Sequence, residues 1–275
     1  MRMTARKSLA VFALVALAYA ANSQAPVAPP LPDCNCSPSD RPPYKAEFKI
    51  TSVQTLANGT TVTRESTETD AVDSQGRRMH SITDITPQFG SVPGTFVNAN
   101  DPVGGTQSSW DSRTKKARVT KMPPKDQRDG CWANDSGTFR MSWNAHPTPP
   151  AGSGSGAAAG EIGVMPASKR PKPEIEDLGT TTIEGLEAHG RRLTTTYQTG
   201  EMGNDAPIVT TQEDWTSSEY HISVRQVTDD LRSGKRTREL VDFTPGEPDP
   251  ATFQPPEGYD VTTDELHQVA CSFPQ

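Results

Sequence analysis

The sequence predicts a mainly β protein: an antiparallel sheet, a short C-terminal helix and disordered Pro/Gly-rich segments. Three observations predict it. Apolar and polar residues alternate over short runs, as a half-buried strand requires. Hairpin signals such as Asn58-Gly59 separate the runs. The return segments are rich in β-branched threonine. Hydrophobic residues make up only 32% of the 275-residue chain and 25 residues are proline, so the β domain is diluted by segments that bury no core.

The first stretch, MRMTARKSLAVFALVALAYAANSQA, has a basic start (Arg2, Arg6, Lys7), an apolar run from Ser8 to Ala18, and the small-residue pattern Ala18-Tyr19-Ala20. This is the pattern of a secretory signal peptide over residues 1–20, and it places the mature chain in the periplasm or outside the cell. An uncleaved N-terminal anchor is the alternative. A lipid anchor is disfavoured, because Leu31-Pro32-Asp33 before Cys34 lacks the small residues of a lipobox. No later segment approaches the roughly 20 apolar residues of a spanning helix, so no transmembrane segment is expected after cleavage.

Residues 21–43 form a Pro-rich leader that can build neither helix nor central strand. The four cysteines, Cys34, Cys36, Cys131 and Cys271, are an even set for an oxidising compartment and allow three pairings. Cys34 with Cys36 closes a strained ring, so each is expected to pair with Cys131 or Cys271. A metal site on Cys34-Asn35-Cys36 is the alternative, although metal-binding cysteines belong mostly to reducing compartments.

Residues 44–122 read as the first part of the β domain. In YKAEFKITSVQT, Tyr44, Ala46, Phe48 and Ile50 share one face. The turn at Asn58-Gly59 leads into TTVTRESTETDAV, and DSQGR at 73–77 turns the chain into RMHSITDI. Residues 87–104 read as a loop, and TQSSWDSRTKKARVTKM as a hairpin turning at Asp111–Thr114. Residues 123–173 are a Pro/Gly/Ser-rich insertion containing the linker-like run HPTPPAGSGSGAAAG, with short order expected around Cys131–Trp143.

Residues 174–275 read as the second part of the same domain, since each half alone has few large apolar residues to bury. Gly185 and Gly190 mark turns or bulges. Tyr220, Ile222 and Val224 share a face, Gly234 is a turn residue, and Val241 and Phe243 share a face on the return. In DPATFQPPEGYDV, Pro255 and Pro256 rule out a strand; Phe253 and Tyr259 read as pegs set into the sheet, with Gly258 at the turn. Thr263 then caps a short helix ending near Cys271.

A net charge of −7 without a basic, aromatic-interleaved stripe argues against nucleic acid. GSGSGA at 152–157 fits a loose dinucleotide pattern but follows Pro149-Pro150 rather than a strand. No G-x-S-x-G, P-loop or H-E-x-x-H occurs, and His80, His146, His189, His221 and His267 are scattered; no catalytic residue, metal ligand or cofactor is assigned. The acidic runs Glu174–Asp177 and Asp229-Asp230 read as solvated loop or turn residues, with a hydrolytic carboxylate pair as the alternative. Asn58 and Asn134 begin glycosylation sequons, but Asn58 is explained by its turn.

Five aromatics remain as candidate ligand-binding residues: Phe48, Trp110, Trp215, Tyr220 and Phe243 lie on or beside strands. On a curved sheet their concave face would hold an apolar ligand; a core under a loop or helix is the competing reading.

The ordered segments YKAEFKITSVQTLANGTTVTRESTETDAVDSQGRR, NDPVGGTQSSWDSRTKKAR, EDLGTTTIEGLEAHGRRLTTT, GNDAPIVTTQEDWTS, ISVRQV and GEPDPATFQPPEGYDV resemble a group of uncharacterised exported proteins of the acidobacterial type. More distantly, the strand order and the closing F-x-P-P-x-G-Y resemble the LolA/LolB-type lipoprotein-carrier fold. That resemblance implies a strongly curved sheet, an incomplete barrel, with a concave side that takes acyl chains in the carriers. The threonine-rich strands and the long insertion depart from the carriers. The expectation is an exported, non-enzymatic β-domain protein binding a lipid-like or hydrophobic molecule. The alternatives are an envelope protein-interaction module and a hydrolase.

Overall fold

The computed structural model describes residues 41–86, 92–135, 137, 140–143 and 171–270. The signal segment, most of the leader, the Gly/Ser/Ala run, and Cys34, Cys36 and Cys271 lie outside the described residues.

The strands β1 (Tyr44–Thr55), β2 (Thr61–Val72), β3 (Arg78–Asp84), β4 (Thr95–Asp101), β5 (Thr106–Asp111) and β6 (Lys116–Lys121) form one antiparallel meander. A second meander is β9 (Glu174–Ile183), β10 (Leu186–Tyr197), β11 (Ile208–Ser217), β12 (Ile222–Asp230) and β13 (Gly234–Pro245). Between them lie the short strands β7 (Gly130–Ala133) and β8 (Arg140–Trp143). The chain continues through β14 (Asp260–Glu265) and β15 (His267–Val269). Strand β13 pairs antiparallel with β1, merging both meanders into one curved 12-stranded sheet. Strands β14 and β9 are its two edges, so it is not closed into a barrel. Strands β15, β7 and β8 make a separate three-stranded sheet in which Cys131 faces Val269 in register. Cys131 is disulfide-bonded, with its partner outside the described residues.

The expected turns appear for the expected reasons. Asn58 Oδ1 accepts from the Thr60 N–H at 3.0 Å, and Gly59 takes φ +83°. At Gly234, φ is +88° and an added Cβ would lie 2.2 Å from the Val53 carbonyl oxygen, so only glycine fits.

Three expectations are corrected. No α-helix occurs among the described residues, and TTDELHQV, expected as the C-terminal helix behind Thr263, forms β14 and β15 instead. A lone capping residue is a weak signal, while the open edge of β6 offers unpaired backbone groups that Val261, Thr262 and Thr263 suit as strand formers. Part of the expected loop 87–104 is strand β4, whose Asn98, Asn100 and Asp101 are poor strand formers held by β3 and β5 on either side. Val241 and Phe243 do not share a face. The β1–β13 pairing shifts register between Glu47 and Phe48, which pair with Asp242 and Leu240, so Val241 bulges out and is exposed.

From β1 to β6 the pairing runs without a register shift, so the two faces can be followed strand by strand. The front face carries Tyr44, Ala46 and Phe48. There they join Val72, Leu240, Leu186, Tyr220, Ile222 and Val224 in one buried cluster. The back face carries Ala71, Met79, Val97, Ala99, Trp110 and Ala117, which form a second cluster with Phe253.

The back cluster is closed by a strap, residues 246–259, that runs from β13 to β14. It crosses β3 and β4 through the 3-10 turn Pro250–Phe253. Asp249 caps that turn, its Oδ1 accepting from the Ala251 N–H at 2.9 Å, and Pro250 sits in the first turn. Phe253 is 3% exposed beneath it, and Tyr259 packs beside the cluster. The Arg77 guanidinium lies 5.1 Å from the Phe253 ring, and the Lys115 ammonium 5.0 Å from that of Tyr259. Because the strap crosses the sheet before rejoining it, β14 runs parallel to β6.

Candidate functional site

The five candidate aromatics divide between the two faces. Phe48 and Tyr220 are buried in the front cluster, with Trp215 and Phe243 packed against it. The rings of Tyr44, Tyr220 and Phe243 interlock at centroid distances of 4.7–5.9 Å. The Arg238 guanidinium lies 3.4 Å from the Phe48 ring centroid. The Trp215 indole covers Gly190, where an added Cβ would come within 2.6 Å of the ring, and its Nε1 donates to Glu213 at 2.7 Å. Trp110 is on the back face, because it pairs with Val97 and Ala117 in unbroken register. The front aromatics therefore spend their surface on one another.

What the front face leaves open lies beside them. At the Tyr44 end of β1, a recess of about 340 Å³ runs across β2 to β5. Its sides come from two cross-strand rows: Asp70, His80 and Asn98 in one, and Val72, Arg78, Asn100 and Gln107 in the other. Tyr44 and Arg41 close its end. Around the strand ends a second cavity of about 450 Å³ adjoins it, sharing Arg78 and Asn100 and adding Lys125 and Arg128.

One side of the recess is tied together by Arg238. Arg238 binds Glu68 through Nε, donates to Asp70 Oδ2 from Nη2 at 3.0 Å, and donates to the Ser223 carbonyl from Nη1 at 3.0 Å. Asp70 Oδ1 also meets His80 Nδ1 at 2.6 Å. Glu68 is buried on the front face, so this guanidinium is what lets a carboxylate sit there. Burial pushes the Tyr44 hydroxyl above its ordinary pKa; Asp70 adds to the rise, while Arg41, Arg78 and Arg238 pull it back. Those three guanidiniums therefore stand within Coulombic reach of the Tyr44 oxygen.

The acidic runs serve the scaffold. Asp230 receives hydrogen bonds from the Arg232 side chain, which hold its carboxyl below the usual range. Glu176 pairs with Arg192 on the exposed edge strand, and Asp177 with His189. No cluster of three metal-ligating side chains occurs among the described residues.

Sequence reasoning missed the recess. The available signal was TFVNAND, where Val97 and Ala99 alternate with Asn98 and Asn100, but asparagine suggests a loop before it suggests a strand face.

No family model and no curated protein matches the chain. Solved structures resemble it in fold. A chain from the Pseudomonas aeruginosa MucA/MucB complex is 11% identical, with a TM-score of 0.38 over 82% of this chain and 60% of that one. The chain thus spans less than two thirds of that protein's length. An uncharacterized conserved protein from Thermus thermophilus is 10% identical, with a TM-score of 0.37 over 82% of this chain and 92% of that one. A putative outer membrane lipoprotein-sorting protein domain from Vibrio parahaemolyticus is 10% identical, with a TM-score of 0.27 over 77% and 89%. These likenesses concern the fold.

Proposed function

We propose that this protein is an exported, non-catalytic binding module of the cell envelope, periplasmic or secreted, whose ligand occupies the front-face recess. One observation carries the reading. Over β2 to β5 the strap seals the back of the sheet, while no described segment covers the front, leaving a recess that joins polar walls to Tyr44 and Val72. A cavity of about 340 Å³ is at the small end of ligand pockets. It suits the polar end of a lipid-like or hydrophobic small molecule better than whole acyl chains. The bonded Cys131 supports export, since disulfides persist in oxidising compartments. Native mass spectrometry of protein purified from its own host is the test, and a retained small-molecule mass is expected. A purely apo protein that also binds no amphipathic probe would sink the reading.

A second reading is an envelope interaction module for another protein. It is favoured by the packing of Phe48, Trp215, Tyr220 and Phe243 into the chain's own core, which leaves the polar surfaces for a partner. In-cell cross-linking should then recover one stoichiometric partner, and repeated recovery of none would remove it.

A further inference from the structure

The open recess is basic in an acidic protein. The chain carries a net charge of −7, yet the recess and the adjoining cavity are lined by Arg41, Arg78, Lys125 and Arg128 against only two carboxylates, Asp70 and Asp101. Both carboxylates are already engaged. Asp70 is held by Arg238 at 3.0 Å and meets His80 at 2.6 Å. Asp101 Oδ1 accepts from the N–H groups of Val103 at 2.9 Å and Gly104 at 2.8 Å, closing its own turn.

Two of the four cations are less well served. Neither Arg41 nor Arg78 has an ion-pair partner among the described residues. The Arg41 Nε is shut off from solvent without a hydrogen-bond acceptor. An enclosed guanidinium N–H without an acceptor is destabilising, and an incoming anion removes that deficit by a charge-assisted bond. Arg78 stands where the two cavities meet, so one anionic group there is reached from both sides. The carboxamides of Asn98, Asn100 and Gln107 supply donors and acceptors for neutral oxygens around it.

We propose that the recess binds the anionic group, a phosphate or carboxylate, of its ligand, with Arg78 and Arg41 as the charge-reading residues. This rests on the recess being the ligand site and adds the chemistry of what it takes. Arginine suits the task because its planar fork meets two oxygens of a phosphate or carboxylate at once.

Calorimetric titration of the mature full chain with three probes tests it: inorganic phosphate, a monoacyl glycerophosphate, and the neutral monoacylglycerol of the same chain length. The anionic amphiphile should bind about 10-fold or more tightly than the neutral one. Arg78→Gln and Arg41→Gln should each erase most of that preference. Lys235→Gln, which removes a cation from a cavity elsewhere on the sheet, should leave it intact. Competition by inorganic phosphate would assign the site to a free anion, and binding of the amphiphile alone would assign it to a lipid headgroup; both uphold the inference. Equal affinity for the two amphiphiles, with Arg78→Gln and Arg41→Gln silent, overturns the anionic assignment and leaves the ligand-site reading standing. So does a Lys235→Gln loss as large as that of Arg78→Gln, which would mean general attraction only. Failure of every probe on a protein that is apo from its host overturns both.

Discussion

The front and back clusters of this sheet are closed by different devices. In front, the sheet and its own β11–β12 turn supply the large side chains: Tyr44, Phe48, Leu240 and Phe243 from strands and Tyr220 from the turn close over one another. Behind, the strands supply Ala71, Met79, Val97, Ala99, Trp110 and Ala117, and the strap lays Phe253 and Tyr259 over them from outside the sheet. Alternation along a strand supplies both faces at once, so it cannot say which face will be covered. What is laid across the sheet decides that.

The comparison predicts a hierarchy of losses. Phe253→Ala should be the most damaging, at about 3–5 kcal/mol, because one residue carries much of the back cover. Urea denaturation measures it, and a loss below about 1 kcal/mol would mean that the strap only rests on the sheet. Arg238→Leu should follow at about 2–4 kcal/mol, since it strands buried Glu68 beside the front cluster and frees Asp70. A double variant with Glu68→Gln should recover part of that loss; no recovery would show that the stacking on Phe48 matters more than the ion pair. Gly190→Ala should cost about 1–3 kcal/mol by forcing the Trp215 indole off its seat. A changed near-ultraviolet circular dichroism spectrum should accompany it, and a spectrum and stability both unchanged would contradict the tight approach.

The smallest effect is electrostatic and lies at the β5–β6 turn. Hydrogen bonds from Arg113 hold the Asp111 carboxyl down to about 2. A folded value below the unfolded one of about 3.9 stabilises the protein above that pH and is lost as pH falls toward 2. Asp111→Asn should therefore flatten a small part of the acid limb between pH 4 and 2, roughly the window between those two values. An unchanged slope of stability against pH would show that the turn does not depend on this carboxylate.

Much of the fold was legible, because period-two alternation and turn chemistry are local. YKAEFKITSVQT and the Asn58-Gly59 hairpin are read as strand, turn and strand, and the structure forms them so. The failures were equally physical. TFVNAND and TTDELHQV carry weak intrinsic preferences, and neighbouring strands overrode them. The bulge that turns Val241 outward depends on β1, nearly two hundred positions away, and leaves no mark in its own segment. The candidate site was less legible still. Its aromatics were visible as aromatics, but whether a ring is spent on packing depends on which rings meet it.

By itself the sequence determined the strand texture, the turns, the rigidity of DPATFQPPEGYDV and its two pegs, since each depends on dihedral preferences and side-chain size within a few residues. Only the tertiary structure decided that β13 would join β1, that the strap would seal the back while no described segment covers the front, and that Arg41 and Arg78 would meet beside Tyr44. Pairing and burial are contests between distant segments for the same backbone groups and the same apolar surface, and no single segment contains the outcome.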